Sequence, residues 1–326
     1  LTRVASSPTA WRPAATLDVL RLRARLLQGA RRHFESTGAL EVETPILVRH
    51  AVTDVQLESL EVRCADGTRA GFLHTSPEYA MKRLLCAGAD DIYQVTRVFR
   101  DGERGRFHNP EFTMIEWYRA GLDHLGLMAD VESLLRALLE PLRPVGPSRR
   151  VTYAEAVRER LDVDAIEGPT EAIAQALERA GIDLPASLRG ERDGLLDLAM
   201  ATVVAPTFAD DRITFVHDFP ASQAALARLR GPVASRFEAF WGGLELANGF
   251  HELGDAREQA SRFENDRSER GRRGRPVHAA DELFLAALQS GLPSCAGVAL
   301  GFDRVVMVAC GARRIDEVLA FPVETA

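Results

Sequence analysis

Phe112, Met114, Glu116 and Tyr118 alternate along the chain with Thr113, Ile115, Trp117 and Arg119. Alternate residues of a strand share a face, so both faces of this segment carry large apolar groups. A strand of that kind has little contact with water. A carboxylate placed in it costs roughly several kcal/mol unless a cation meets it. Glu116 is such a carboxylate, and a ligand can supply the cation. The preceding stretch, VFRDGERGRFHNPE, crowds Arg100, Glu103, His108 and Asn109 into one loop. Ile92, Gln94, Thr96, Val98 and Arg100 share a face of an earlier arm, so the whole reads as a hairpin with arms at 92–100 and 111–119.

Around this hairpin the periodicity changes. Leu17, Leu20, Ala24, Leu27 and Phe34 form a helical stripe, with Gly38 as its stop. LEVETPIL reads as a strand running into Pro45, which must leave the ladder or sit at its edge. Residues 52–74 read as short strands around the turn ADG. SPEYAMKRLLCAG opens a helix with Ser76 as N-cap and Pro77 at the first helical position. A helix follows at about 123–140, and PLRPVGPSRR is the strongest linker signal in the chain. Residues 152–230 read as short helices with one strand, ITFVHDFP. FEAFWGGLELANGFHEL is strand-like and interrupted at Gly242–Gly243, residues 255–289 form a charged helix broken near GRRGRP, and GVALGFDRVVMVACG runs from a strand into a helix. Strands, then helices, then strands again predict an α+β fold, with helices against a mixed sheet. The expected organisation is a tail at residues 1–16 and one domain at 17–326, carrying a mainly helical insertion at about 141–210.

Composition narrows the class. At 326 residues, 46% hydrophobic and 27% charged, the chain is ordinary globular material. No apolar run approaches the roughly 18 residues of a membrane span, and the start has no apolar core of a secretory signal. Cys64, Cys86, Cys295 and Cys310 are scattered without zinc spacing, which reads as reduced cytoplasmic thiols. A net charge of −7 is a poor match to a protein that binds long nucleic acid. Lys82 is the only lysine, a bias that high-GC codon usage explains as well as any function does. The arginine run RSERGRRGR, 267–275, reads as a solvated helix face.

Three segments carry chemistry: the hairpin, ELANGFHEL and GFDR. Asn248, Phe250 and Glu252 share a strand face with Glu245 just upstream, while Arg304 arrives at a helix start, where free N–H groups already attract anions. With no Walker A loop and no GxGxxG, a nucleotide must be held by side chains. Taken together, LEVETPIL, FRDGERGRFHNPEFTMIEWY and GVALGFDR resemble the three class-defining motifs of a class II aminoacyl-tRNA synthetase catalytic core of the lysine subgroup, over nearly the whole chain.

The resemblance implies an antiparallel sheet flanked by helices, dimeric through the first motif. It implies activation of an amino acid by ATP, with Mg2+. Arg100 would bridge carboxylate and α-phosphate, with His108 and Arg304 on the outer phosphates. Phe112 would stack on adenine, Glu103 and Asn109 would fix the nucleotide, and Leu246 and Gly301 would border it. Glu238 and Glu245 would hold magnesium. Ser76, Glu78, Glu116, Tyr118, Asn248, Glu252 and Ala299 would surround a substrate with two ammonium groups. FPASQAALA at 219–227, Ala299 where lysyl-tRNA synthetases usually carry glycine, and a start at the catalytic core all resemble the branch that ligates (R)-β-lysine to elongation factor P. The rivals are a lysine-activating enzyme that charges tRNA or another acceptor, and a non-catalytic amino-acid sensor.

Overall fold

The computed structural model describes residues 11–326, so most of the expected tail, residues 1–10, lies outside the described residues. The strands are β1 (Leu40–Glu41), β2 (Leu47–Val48), β3 (Glu61–Arg63), β4 (Arg69–Leu73), β5 (Ile92–Phe99), β6 (Glu111–Ala120), β7 (Arg149–Thr152), β8 (Ile213–Pro220), β9 (Leu229–Arg230), β10 (Val233–Trp241), β11 (Leu244–His251) and β12 (Cys295–Gly301). The helices are α1 (Leu17–Ser36), α2 (Glu78–Cys86), α3 (His124–Leu139), α4 (Tyr153–Leu161), α5 (Thr170–Arg179), α6 (Arg192–Ala199), α7 (Ala256–Arg272), α8 (Glu282–Ser290) and α9 (Phe302–Cys310). The large sheet runs β1-β5-β6-β12-β11-β10-β8-β7, with β9 on β10. Its centre is antiparallel, and only the outer pairs β1–β5 and β7–β8 are parallel. β2, β4 and β3 form a separate small sheet.

One face of the large sheet is the main core. Ile115 and Trp117 of β6, Val298 and Leu300 of β12, and Phe237 and Ala239 of β10 pack there against α1, α3 and α9. A second core lies where α4, α5 and α6 meet β7, β8 and β10. With one face sealed by helices, the alternating residues of the same strands turn to the other face, and the polar side chains of the sequence motifs collect there.

Three local expectations change. The inward face of α1 is Leu26, Ala30 and Phe34, with Val19 and Leu22 beside it. Leu17 and Ala24 of the expected stripe are exposed; the helix is amphipathic but rotated, because two apolar edges compete for one core. Pro77, not Ser76, occupies the N-cap of α2. The arginine run is not simply solvated: Arg270 is buried and donates to the carbonyls of Asp54, Leu57 and Pro276 and to Glu58 Oε2 at 2.6–2.9 Å. It fastens the 54–58 loop to α7. All four cysteines are free. Among the described residues, no helix is long and apolar enough to cross a membrane.

Candidate active site

The strand register explains why the motifs meet. Directly paired residues of neighbouring antiparallel strands present their side chains on one face. Gln94, Glu116, Ala299, Asn248 and Glu238 form one such row across β5, β6, β12, β11 and β10. Ile92, Tyr118, Gly297, Phe250 and Arg236 form the next. The row carrying Glu116 and Asn248 faces a cavity of about 1990 Å³. Ser76, Glu78, Arg100, Glu103, His108, Asn109, Phe112, Glu116, Tyr118, Glu238, Glu245, Leu246, Asn248, Glu252, Ala299, Gly301 and Arg304 all line it.

At one end the cavity is acidic. Glu116 is buried, and both of its oxygens accept from hydroxyls: Oε1 from Tyr118 at 2.7 Å and Oε2 from Ser76 at 2.7 Å. Burial first, then the charge of Glu78, pushes its carboxyl up to about 7 against these bonds. Ser76 Oγ also accepts from Glu78 N, the first residue of α2, at 3.0 Å, so the hydroxyl serves the helix start from just outside the N-cap and links α2 to the acidic floor. Glu252 is buried as well and is pushed up to about 8, mainly by desolvation, with Lys82 opposing and Glu78 adding to the shift.

Lys82 was missed from sequence. Its Nζ has no exposure and lies 2.5 Å from both Glu78 Oε1 and Glu252 Oε2. Burial pulls its pKa down, but Glu252 and Glu78 outweigh that and raise it, so it stays an ammonium. Gly297 was missed too. A Cβ there would collide with the Tyr118 ring and Glu252 Oε1. A glycine beside a bulky strand neighbour was the available signal.

The other end is cationic. Arg304, in the first turn of α9 behind the Gly301 N-cap, donates to Glu245 O at 2.8 Å and lies 3.4 Å from Glu245 Oε2. It also donates to His108 Nε2 at 2.9 Å. That contact requires a neutral ring with its proton on Nδ1; burial, then Arg304, lowers the His108 pKa. Arg100 lies 3.5 Å from Glu103 Oε1, with its guanidinium 5.1 Å from the Phe112 ring centroid. Asn109 is mostly spent on the backbone: it donates to Glu111 O at 2.6 Å and accepts from Val323 N at 3.1 Å. It braces the loop while lining the cavity.

Glu238 and Glu245 border the same space. Burial pushes Glu238 up to about 7 against the pull of Arg236 at 2.5 Å, and the charge of Glu245 adds to the rise. Two carboxylates that repel one another, facing room for a triphosphate, fit a hard cation with oxygen ligands. A further residue outside the sequence expectation, Asp303, is buried and ion-paired to Arg23, and its Oδ2 accepts from Thr113 N at 2.8 Å. It fixes the start of α9, and hence Arg304, to β6. Elsewhere among the described residues, His124, His217 and Asp218 come together at metal-ligand spacing. Asp218 there lies 3.1 Å from a ring nitrogen of each histidine and 2.9 Å from Arg230, so its carboxylate is already engaged.

The family model of class II tRNA synthetases (D, K and N) matches residues 2–325. The chain is 44% identical over 328 residues to the elongation factor P--(R)-beta-lysine ligase of Klebsiella pneumoniae (strain 342), covering 98% of this chain and all of that protein. It is 43% identical over 322 residues to the ligase of that name from Vibrio parahaemolyticus, covering 96% and 98%. Against the one from Yersinia enterocolitica the identity is 44% over 326 residues, covering 98% and 99%. Matches of this length settle the family: the chain belongs to the class II tRNA synthetases (D, K and N), among the relatives of the elongation factor P--(R)-beta-lysine ligases.

Proposed function

We propose that this protein is a cytoplasmic, dimeric, AMP-forming ligase that activates (R)-β-lysine with ATP and transfers it to a lysine of elongation factor P. The observation that carries the reading is the group Glu78, Glu116 and Glu252 at the closed end of a cavity whose other end holds Arg100, His108 and Arg304. Two ammonium groups suit the first set, and a carboxylate meeting a triphosphate suits the second. The names of the relatives supply the particular diamine and acceptor.

In the first step a carboxylate oxygen of the amino acid attacks the α-phosphorus and pyrophosphate leaves. Two anions must approach, so the rate depends on fixed positive charge at the developing transition state. Arg100 supplies it between carboxylate and α-phosphate, and Arg304 and His108 hold the outer phosphates. Phe112 stacks on adenine, while Glu103, Asn109, Leu246 and Gly301 border the nucleotide. Glu238 and Glu245 would hold magnesium, which would supply further neutralisation of phosphate charge. Glu78, Glu116 and Glu252, with Ser76, Tyr118, Asn248 and Ala299, orient the diamine. In the second step a neutral ε-amine of the acceptor attacks the acyl carbonyl, AMP leaves, and the amine proton passes to solvent or to AMP.

ATP–pyrophosphate exchange with (R)-β-lysine and with α-lysine, followed by the intact mass of elongation factor P, tests this. Exchange favouring (R)-β-lysine and one added β-lysyl group are expected, with Arg100→Ala inactive but folded. Exchange with no diamino acid, or robust charging of tRNA with an unmodified elongation factor P, overturns it.

A further inference from the structure

Arginine and lysine together number 40, and 39 of these are arginine. The exception is buried beneath the acidic end of the cavity. Lys82 lies one turn beyond Glu78 on α2 and reaches Glu252, which follows β11. The Phe284 ring of α8 lies 5.9 Å from its Nζ. Lys82 does not line the cavity, whereas Glu78 and Glu252 both do. An ammonium is a compact point charge with three donors, and a guanidinium is a wide planar fork. A fully enclosed slot between two carboxylates and an aromatic ring admits the first shape. Codon bias does not account for a lysine kept at this one position.

Counting charge gives the function. Three carboxylates against one ammonium leave the closed end with two net negative charges when all are ionised. A diamino acid whose carboxylate is engaged by Arg100 presents two ammonium groups. We propose that Lys82 is a positioning residue that sets substrate specificity: it clamps Glu78 and Glu252 side by side from beneath and tunes the cage to a dication. This inference rests on the reading of the cavity as a diamino-acid site. The groups facing Glu252 are Glu78 and Lys82 from α2, Glu116 and Tyr118 from β6, and Cys295 from β12, with Arg228 on its carbonyl. Among the described residues, Lys82 is the one cation that meets its carboxylate oxygens. Removing it makes Glu252 harder to ionise, so binding of the diamine requires a higher pH.

The test is Lys82→Met in pyrophosphate exchange, with ATP affinity read by calorimetry. We expect KM for the diamino acid to rise roughly tenfold or more, with kcat at saturation changed less than about threefold. ATP affinity should hold, and the rising limb of kcat/KM against pH should move to higher pH. A folded Lys82→Met protein with an unmoved pH profile and an unchanged KM overturns the role. Equal losses for ATP and amino acid also overturn it, since a scaffold defect acts on both. If Lys82→Met does not fold, Lys82→Met/Glu252→Gln, which removes both buried charges together, is compared with Glu252→Gln alone. An identical KM and pH profile in the two overturns the inference, and a difference between them supports it. Wild-type protein run alongside separates the two claims. Wild-type exchange with no diamino acid defeats the functional reading and this inference with it, whereas normal wild-type exchange beside an unaltered variant defeats only the role of Lys82.

Discussion

Gly297 shows how one missing side chain permits the site. Its strand neighbour Tyr118 must lean over it to reach Glu116, and Glu252 closes on the same space. Gly297→Ala drives a methyl into both, and overpacking of this kind costs roughly 1–3 kcal/mol. We expect a modest loss of stability by urea denaturation, with severe loss of amino-acid activation and retained ATP binding. Equal retention of both activities would mean that Tyr118 is free to move. The carboxyls above it make a second prediction. Glu116 and Glu252 rise from the ordinary 4.5 to about 7 and about 8. Groups raised in the folded state contribute stability that is complete below the unfolded pKa and is lost as pH rises through the folded one. The lowered histidines His33, His74, His108, His251 and His278 act in the opposite sense, but their unfolded value is 6.5, so their effect has faded by about pH 7.5. Between about pH 7.5 and 8.5, therefore, the ligand-free protein should lose thermal stability, and Glu252→Gln should flatten that loss. A saturating diamino acid, which favours the ionised carboxylates, should stabilise most at the upper end. Melting curves across this range, with and without the amino acid, check both signs.

Elements are held in register by ion pairs that join helices to the sheet. Asp303, in the first turn of α9, meets Arg23 of α1 and the Thr113 amide of β6, and Arg23 also donates to Thr113 Oγ1 at 2.7 Å. Removing one partner leaves the other charge buried, a cost of about 3–5 kcal/mol. Asp303→Ala should therefore lower stability by about that amount. It should also raise KM for ATP, because α9 is what aims Arg304 at Glu245 and His108. Denaturation and exchange kinetics on one preparation check this, and an unchanged midpoint would show that Arg23 finds water. Arg270 works the same way on the 54–58 loop, which borders the cavity. The run that contains it was read from sequence as a solvated face because local charge density says nothing about which side chain turns inward.

Among the described residues, Leu40 of β1 and Leu47 of β2 are 61% and 47% exposed, and Ile46 is partly so. These residues flank Pro45 in the first motif, where the resemblance expects a dimer contact. Leu40→Glu with Leu47→Glu should shift the protein to monomers in sedimentation, and should make its melting temperature independent of concentration. A wild-type protein that is already monomeric would remove the dimer from the reading.

The hairpin, the strand ITFVHDFP and the strands of ELANGFHEL and GVALGFDR were legible in the sequence, whereas β7 fell at the end of the expected linker and β9 in an expected helical stretch. Period-two patterning and the loop chemistry at 100–110 are local properties, so Arg100, Glu116, Glu252 and Arg304 could be singled out as candidates before any fold was known. The family was legible for the same reason, since its motifs are contiguous. Tertiary structure decided what depends on burial and on partners distant in the chain. Lys82 is ordinary in its helix and becomes a buried counter-ion only when α2 meets Glu252, 170 residues on. Gly297 is one glycine among 25 until Tyr118 and Glu252 converge on it. Asn109 lines the cavity and is also tied to Val323 near the far end of the chain, a contact that no local pattern could show. Which face of α1 turns inward was settled by α3, α9 and the sheet, since a helix with two apolar edges has no local reason to prefer either.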